Sequence, residues 1–262
     1  MAFNPNELIL DRVRYLTAHE IDTKEILFML TQLEEPSLNT TAEGEDVTDA
    51  VGALITTMYR SKQAEFTATN SLLSLDLAAK QFGSKKEVAG KESTIEVPAY
   101  EIRDASEAVD GAITLKHVPV AGSVPYIYAM VNGAAGTAYK VGAAASDTEF
   151  VIDETTGKIT LPTGLTGKVF IEYKYESENA VRIVNSASEF PTACEVIIHA
   201  IFRDVCNENK VYAGMIICPK AKLDPSQVEL ALTSTGKHAF TLKMFKDYCS
   251  VDEELFTIIV AE

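Results

Sequence analysis

Carboxylates, histidines and cysteines are the side chains of this sequence best equipped for chemistry, and their spacing argues against it. Two catalytic carboxylates must flank a substrate across a cleft, held by rigid elements, as in glycoside hydrolysis. The adjacent pairs here, Glu34 with Glu35 and Glu45 with Asp46, fall in a single acidic stretch among further acids. That stretch lacks the D-x-[DN]-x-[DN]-G order of a calcium loop. The four cysteines, Cys194, Cys206, Cys218 and Cys249, form no C-x-x-C pair and stand beside no histidine at ligand spacing. Cys194 and Cys206 end apolar runs, where a reduced thiol packs as a small hydrophobe. The four histidines, His19, His117, His199 and His238, are scattered. His199 shares a strand face with Ile197 and Ile201, the setting of a hydrogen-bonded core or interface histidine. With no Trp in the chain, Tyr126, Tyr128, Tyr173 and Tyr175 are the local candidates for a carbohydrate platform, and alternating Tyr equally reads as sheet packing. Phosphate-loop, dinucleotide, H-E-x-x-H and G-x-S-x-G motifs are absent. We expect no enzyme, no catalytic residue, no cofactor and no metal; a glycosidase with unrecognised carboxylates is the residual catalytic reading.

The elements that must position these residues read as mainly β. Residues 6–33 carry apolar positions at Leu8, Val13, Ile21, Ile26, Leu27, Leu30 and Leu33, and predict a mixture of helix and extended arm, with Asp22 or Thr23 as a helix cap. Residues 34–49 hold Glu34, Glu35, Glu43, Glu45, Asp46 and Asp49 without any Lys or Arg, among Pro36, Asn39 and Gly44. This composition predicts a long acidic loop, either a docking element or a solvated one. Residues 52–69 end in a clean alternation that puts Ala64, Phe66 and Ala68 on one face and Gln63, Glu65, Thr67 and Thr69 on the other. Asn70 or Ser71 can then cap an amphipathic helix carrying Leu72, Leu75 and Ala79, flanked by Leu73 and Leu77, which Gly83 stops.

Between residues 95 and 175 the texture changes to seven short runs separated by turn signals such as Asn132-Gly133 and Thr156-Gly157. By count this is an Ig-like sandwich, without the Cys-Trp-Cys core of antibody domains. Longer runs return at 194–203, 211–218, 228–234, 238–245 and 255–260. They need partners from the N-terminal part, so the economical organisation is a host domain split into 1–94 and 179–262, with an inserted sandwich at 95–178.

At 262 residues the chain can bury a full core without disulfides. Its net charge of -15 argues against wrapping nucleic acid through clustered Lys and Arg, although acidity also serves plain solubility. No apolar run approaches a membrane span, and the first residues lack the order of a signal peptide, so synthesis in the cytoplasm and an aqueous working site are expected.

The order of the acidic segment, DVTDAVGALITTMYRSKQAEFTATN, the helix SLLSLDLAAKQFG and later strands ending in KHAFTLKMFKDYCSVDEELFTIIV resembles the tail tube proteins of tailed bacteriophages. The resemblance covers the host domain, and implies a tail-tube-like sandwich or barrel with one packed helix. It further implies hexameric rings, stacked into a tube whose lumen conducts genomic DNA, in a virion tail assembled in the host cytoplasm. Its partners would be copies of itself, other tail proteins such as sheath, baseplate and terminator, and DNA in transient non-specific passage, with no membrane. Carried onto this chain, Gln63, Glu65, Thr67 and Thr69 would face an acidic or neutral lumen, and Ala64, Phe66 and Ala68 would pack on the helix. Glu34, Glu35, Asn39, Glu43, Glu45, Asp46 and Asp49 would form the ring-stacking loop. An inserted Ig-like module suits the outside of such a particle. A capsid or decoration protein is the neighbouring reading, and an Ig-bearing module that recognises a host-surface glycan is the competing one.

Overall fold

The computed structural model describes residues 7–205, 209–226, 228–230, 236–247 and 253–261. The described chain is mostly β, and it separates into two compact units, Met1–Lys86 with Ile183–Glu262, and Glu87–Arg182.

The first unit contains β1 (Leu8–His19), β2 (Ile26–Leu30), β3 (Leu33–Thr48), β4 (Leu54–Asn70), the helix α1 (Leu75–Phe82) and, after the second unit, β14 (Cys194–Asp204), β15 (Val211–Leu223), β16 (His238–Met244) and β17 (Thr257–Ala261). The strands form one sheet in the order β2-β1-β14-β15-β16-β4-β3, with β17 also paired to β15. β2 and β3 stand at opposite ends of this order, yet only Thr31 and Gln32 join them. The sheet must therefore curl until its two edges meet at that corner. Ser71 N–H closes the corner by donating to the Gln32 carbonyl at 2.9 Å. Curling places alternate side chains inside, where Leu16, Phe28, Leu30, Phe66, Ile198 and Leu242 share a core with Leu77 of the helix. Each such buried side chain stabilises the fold by roughly 1.5–3 kcal/mol.

Several local expectations need correction. Residues 8–30 form a β-hairpin and no helix: Glu20 N–H donates to the Glu25 carbonyl at 2.9 Å, and Lys24 takes φ 60, so Asp22 and Thr23 shape a turn. The helix cap is Ser74, whose hydroxyl accepts from Leu77 N–H at 3.3 Å, while Asn70 ends β4. The start of the helix moves accordingly. Leu77, Ala78, Ala79 and Gln81 are buried, whereas Leu72, Leu73 and Leu75 stay exposed. Gly83 stops the helix in the left-handed conformation at φ 73, as expected. β15 runs on through Pro219 to Leu223: Pro219 lies in the register shift against β14, between Cys218 and Ala221, and at the change of partner from β17 to β16, where a missing N–H is tolerated. The strand expected at 228–234 lies largely outside the described residues; within them Leu230 makes an isolated bridge to His238. Cys194 and Cys218 are free and buried, and Cys206 and Cys249 lie outside the described residues.

The second unit begins and ends on a two-stranded ribbon, β5 (Glu87–Val88) against β13 (Val181–Arg182), with an Arg182–Glu87 ion pair at 2.6 Å. Between them run β6 (Ile95–Asp104), β7 (Ala112–Thr114), β8 (Tyr126–Val131), β9 (Ala134–Val141), β10 (Glu149–Asp153), β11 (Lys158–Thr160) and β12 (Lys168–Ser177). Their order is β6-β12-β8-β9-β10-β11-β7, with β9 and β10 parallel and the other pairs antiparallel. Asn132 and Gly133, at φ 52 and 80, supply the two positive-φ positions of a tight turn between β8 and β9. Its own core gathers Ile127, Phe150, Ile159, Val169 and Ile171.

Candidate assembly surface

The acidic stretch is not a loop. It is β3, paired with β4 from Leu33↔Asn70 to Thr48↔Leu54. Acids do not prevent a strand whose faces are both wetted; they suit an edge strand, where charge discourages unwanted pairing. Glu35, at φ 48, and Pro36 occupy the register shift between Glu34 and Ser37, the place where a residue without an N–H is tolerated. β16 accompanies β4 only from Asn70 to Ala64. Beyond that point residues 41–62 continue as a ribbon of two strands, about 25 Å long at ordinary strand rise, with no third strand beside it among the described residues. Asp49 ties the tip: its carboxylate accepts from Val51 N–H at 2.9 Å and Ala53 N–H at 2.8 Å, and Gly52 turns at φ 86.

A bulge governs which side chains share a face of this arm. Thr41 pairs with Gln63 but Glu43 pairs with Arg60, so Ser61, at φ 53, and Lys62 together oppose Ala42. The extra residue reverses the alternation of β4. On one face Asn39 opposes Glu65, Thr41 opposes Gln63, Glu43 opposes Arg60 and Glu45 opposes Met58. Arg60 reaches Glu45 at 3.4 Å on this face. The other face carries Gly44, Asp46, Thr57 and Tyr59; Thr57 donates to Asp46 at 2.7 Å, and the Tyr59 ring lies against Gly44, where an added Cβ would meet it at 3.3 Å. Val51, Leu54, Ile55, Met58 and Tyr59 are all exposed, Tyr59 by 75%.

The polar face at the base also carries cations, from the neighbouring strands. Gln63, Glu65, Thr67 and Thr69 do point away from the core that holds Ala64, Phe66 and Ala68. Yet Lys243 stands directly opposite Glu65, and Lys222 opposite Lys243. The cause is alternation in the neighbouring strand, since burying Phe240, Leu242 and Met244 forces Thr241 and Lys243 to the other side. Lys243 pairs with Asp224 at 2.7 Å, and the hydrogen bond from Lys243 holds the Asp224 carboxyl down at about 2.

The two sets of sequence candidates therefore intermingle. Asn39, Glu43 and Glu45 share a face with Gln63 and Glu65, Asp46 faces the other way, and Asp49 is at the tip. Glu34 belongs to the base: it accepts from Lys237 and from the Ser71 hydroxyl, and these bonds, Lys237 first, lower its carboxyl below the usual range. Sequence reading missed Lys243, Lys222, Arg60 and Tyr59. The alternation of residues 238–244 could have revealed Lys243; the Ser61 bulge has no sequence signal of its own.

Among the described residues no group of three or more His, Cys, Asp or Glu could hold a metal, and no helix is long and apolar enough to cross a membrane. No curated protein matches the chain. The model of the YomU/Tube protein family matches residues 8–254, and thus covers the curled sheet apart from β17, the projecting arm and the second unit. The chain therefore belongs to the YomU/Tube protein family, a family of phage tube-like structural proteins.

Proposed function

We propose that this protein is the repeating subunit of a phage tail tube, forming stacked, hexameric rings through which genomic DNA passes. The observation that carries the reading is the arm at residues 41–62. A two-stranded ribbon with exposed Val51, Leu54, Ile55 and Tyr59 has no core of its own, and such a patch marks a contact with another molecule. The arm, rather than a loop, is the stacking element in this reading, and Glu43, Glu45, Asp46 and Asp49 set its charge against the next subunit. The outer edge of β2, unpaired among the described residues, is where a neighbouring subunit continues the sheet around the ring.

The face with Gln63, Glu65, Thr67 and Thr69 is the proposed lumen wall. Two of its cations are held in pairs, Lys243 with Asp224 and Arg60 with Glu45, and a paired cation offers a passing phosphate less than a free one. Residues 95–178 are proposed as an Ig-like domain inserted in a host made of 1–94 and 179–262 and displayed outside the tube. The antiparallel pairing of β5 with β13, which brings the two ends of the second unit together, supports an insertion. Sheath, baseplate and terminator proteins are the further partners, and assembly takes place in the host cytoplasm.

Negative-stain electron microscopy of the purified chain at high concentration tests the proposal. Hollow tubes or six-fold rings are expected, and the tubes should vanish when residues 42–62 are replaced by a two-residue Asn-Gly turn, which keeps Thr41 opposite Gln63. Tubes of undiminished yield from that shortened chain would remove the stacking role.

A further inference from the structure

We infer that the second unit binds a neutral saccharide on the outward face of its sheet, in the pocket where Tyr126 and Tyr128 meet Glu172 and Lys174. The site lies wholly within residues 87–182 and is independent of the tube reading.

The residues come together through strand alternation. β12 turns Val169, Ile171 and Tyr173 inward, which leaves Phe170, Glu172 and Lys174 outside. Across the ladders, Phe170 faces Tyr128 on β8, and Glu172 faces Tyr100 on β6. Core packing requires apolar residues only on the inner face, yet the outer face carries four aromatic rings. Tyr100 stacks on Phe170 at 5.8 Å, Tyr126 lies 6.5 Å from Tyr128, and Tyr100 and Tyr126 are 68% and 48% exposed. Exposed rings in contact with one another on a rigid sheet form a contact surface that needs little ordering to bind.

The polar groups at the pocket select the ligand class. The cavity measures about 260 Å³ and is bounded by Tyr126, Tyr128, Glu172, Lys174, Ser123 and Pro98. That is just under the range for drug-sized ligands and suits a single sugar ring. A pyranose offers an apolar C–H face for the tyrosines and a rim of hydroxyls that both donate and accept. Here Glu172 accepts and Lys174 donates, while the Ser123 hydroxyl, which donates to the Lys174 carbonyl at 3.3 Å, is left to accept. Two carboxylates, Glu172 and Glu96, against the single Lys174 disfavour an anionic ligand. The Glu172 carboxylate has no side-chain partner among the described residues, and the Lys174–Glu96 pair, at 3.4 Å, is exposed and easily exchanged. A proline-rich peptide would also stack on tyrosines, but it presents carbonyl acceptors and few donors, and the Glu172 carboxylate would repel them.

The full chain can be titrated with methyl glucoside, methyl galactoside, N-acetylglucosamine and their β-linked disaccharides, and in parallel with a proline-rich decapeptide. Binding is read by amide chemical shifts and by tyrosine fluorescence, which the absence of Trp leaves unmasked. Saturable binding to at least one sugar, at about millimolar Kd or tighter, is expected, with the shifts centred on Tyr126, Tyr128 and Glu172. Tyr126→Ala and Glu172→Ala should each weaken it by about tenfold with an unchanged melting temperature, while Tyr126→Phe keeps it. Silence across the sugars, shifts centred elsewhere, equal affinity in the two alanine variants, or saturation by the peptide alone would each overturn the assignment. The shift map on the unaltered chain decides the matter even if a variant fails to fold.

Discussion

Within the single strand β4 two regions obey different physics. From Ala64 to Asn70 every second residue is buried and β16 lies alongside; from Leu54 to Gln63 no residue is buried and β3 is the only neighbour among the described residues. The base is held by burial and the arm by its ladder and cross-strand pairs, which contribute roughly 0.2–1 kcal/mol each. A ribbon held that weakly keeps its shape best when something covers it. The base should therefore govern whether the monomer folds, and the arm what the monomer joins.

The largest expected effect is at the base. Phe66 is 2% exposed and packs with Phe240 at 6.2 Å between ring centroids. Phe66→Ala should cost about 3–5 kcal/mol in a denaturant titration of the monomer. A loss below about 1 kcal/mol would break the distinction between base and arm. Acid should also act on the base. His238 is fully buried; its Nε2 meets the Gln81 side chain and its Nδ1 has no partner among the described residues. Burial pushes its pKa from the ordinary 6.5 to about 4. Because the folded value is depressed, the unfolded chain binds the proton first. This contribution is complete above pH 6.5 and is lost as pH falls toward 4, to a total of about 3 kcal/mol. Stability curves for the parent and His238→Gln should differ in slope across that window, and parallel curves would contradict the buried neutral ring.

A smaller effect is expected where the helix turns back. Gly83 combines φ 73 with a close approach to the Phe190 backbone, which an added Cβ would meet at 2.4 Å. Gly83→Ala should cost about 2 kcal/mol or more, measured as a lower denaturation midpoint. A neutral result would mean that the segment around Phe190 yields freely.

The base was legible in the sequence because burial on one face imposes alternation, so Ala64, Phe66 and Ala68 announce themselves, as does Gly83 by its conformational freedom. The arm was not. With both faces wetted, residues 37–48 follow no apolar period, and the acids that suit an exposed strand are the ones that make a segment read as loop. The same blindness hid the face shared by Asn39 and Glu65, since only the register shows it. Lys243 was readable in principle, because Phe240, Leu242 and Met244 fix the opposite parity. β1 was misread because a hairpin turn at Asp22 and Thr23 uses the same residue types as a helix cap.

The smallest expected effect on folding is also the sharpest test of the arm. Tyr59 is 75% exposed and touches chiefly the Gly44 backbone and its own ribbon. Tyr59→Ala removes one cross-strand contact, so the monomer should lose less than about 1 kcal/mol. In an assembly the same ring would be a buried aromatic anchor, the class of residue whose truncation costs about 2 kcal/mol or more at an interface. Tube yield by light scattering should therefore collapse in Tyr59→Ala while the denaturation midpoint barely moves. Phe66→Ala inverts that order, because its main effect is on the denaturation midpoint of the monomer. If Tyr59→Ala assembles like the parent, the exposed face of the arm is not the contact, and the stacking role would have to pass to the charged face that holds Glu43 and Glu45.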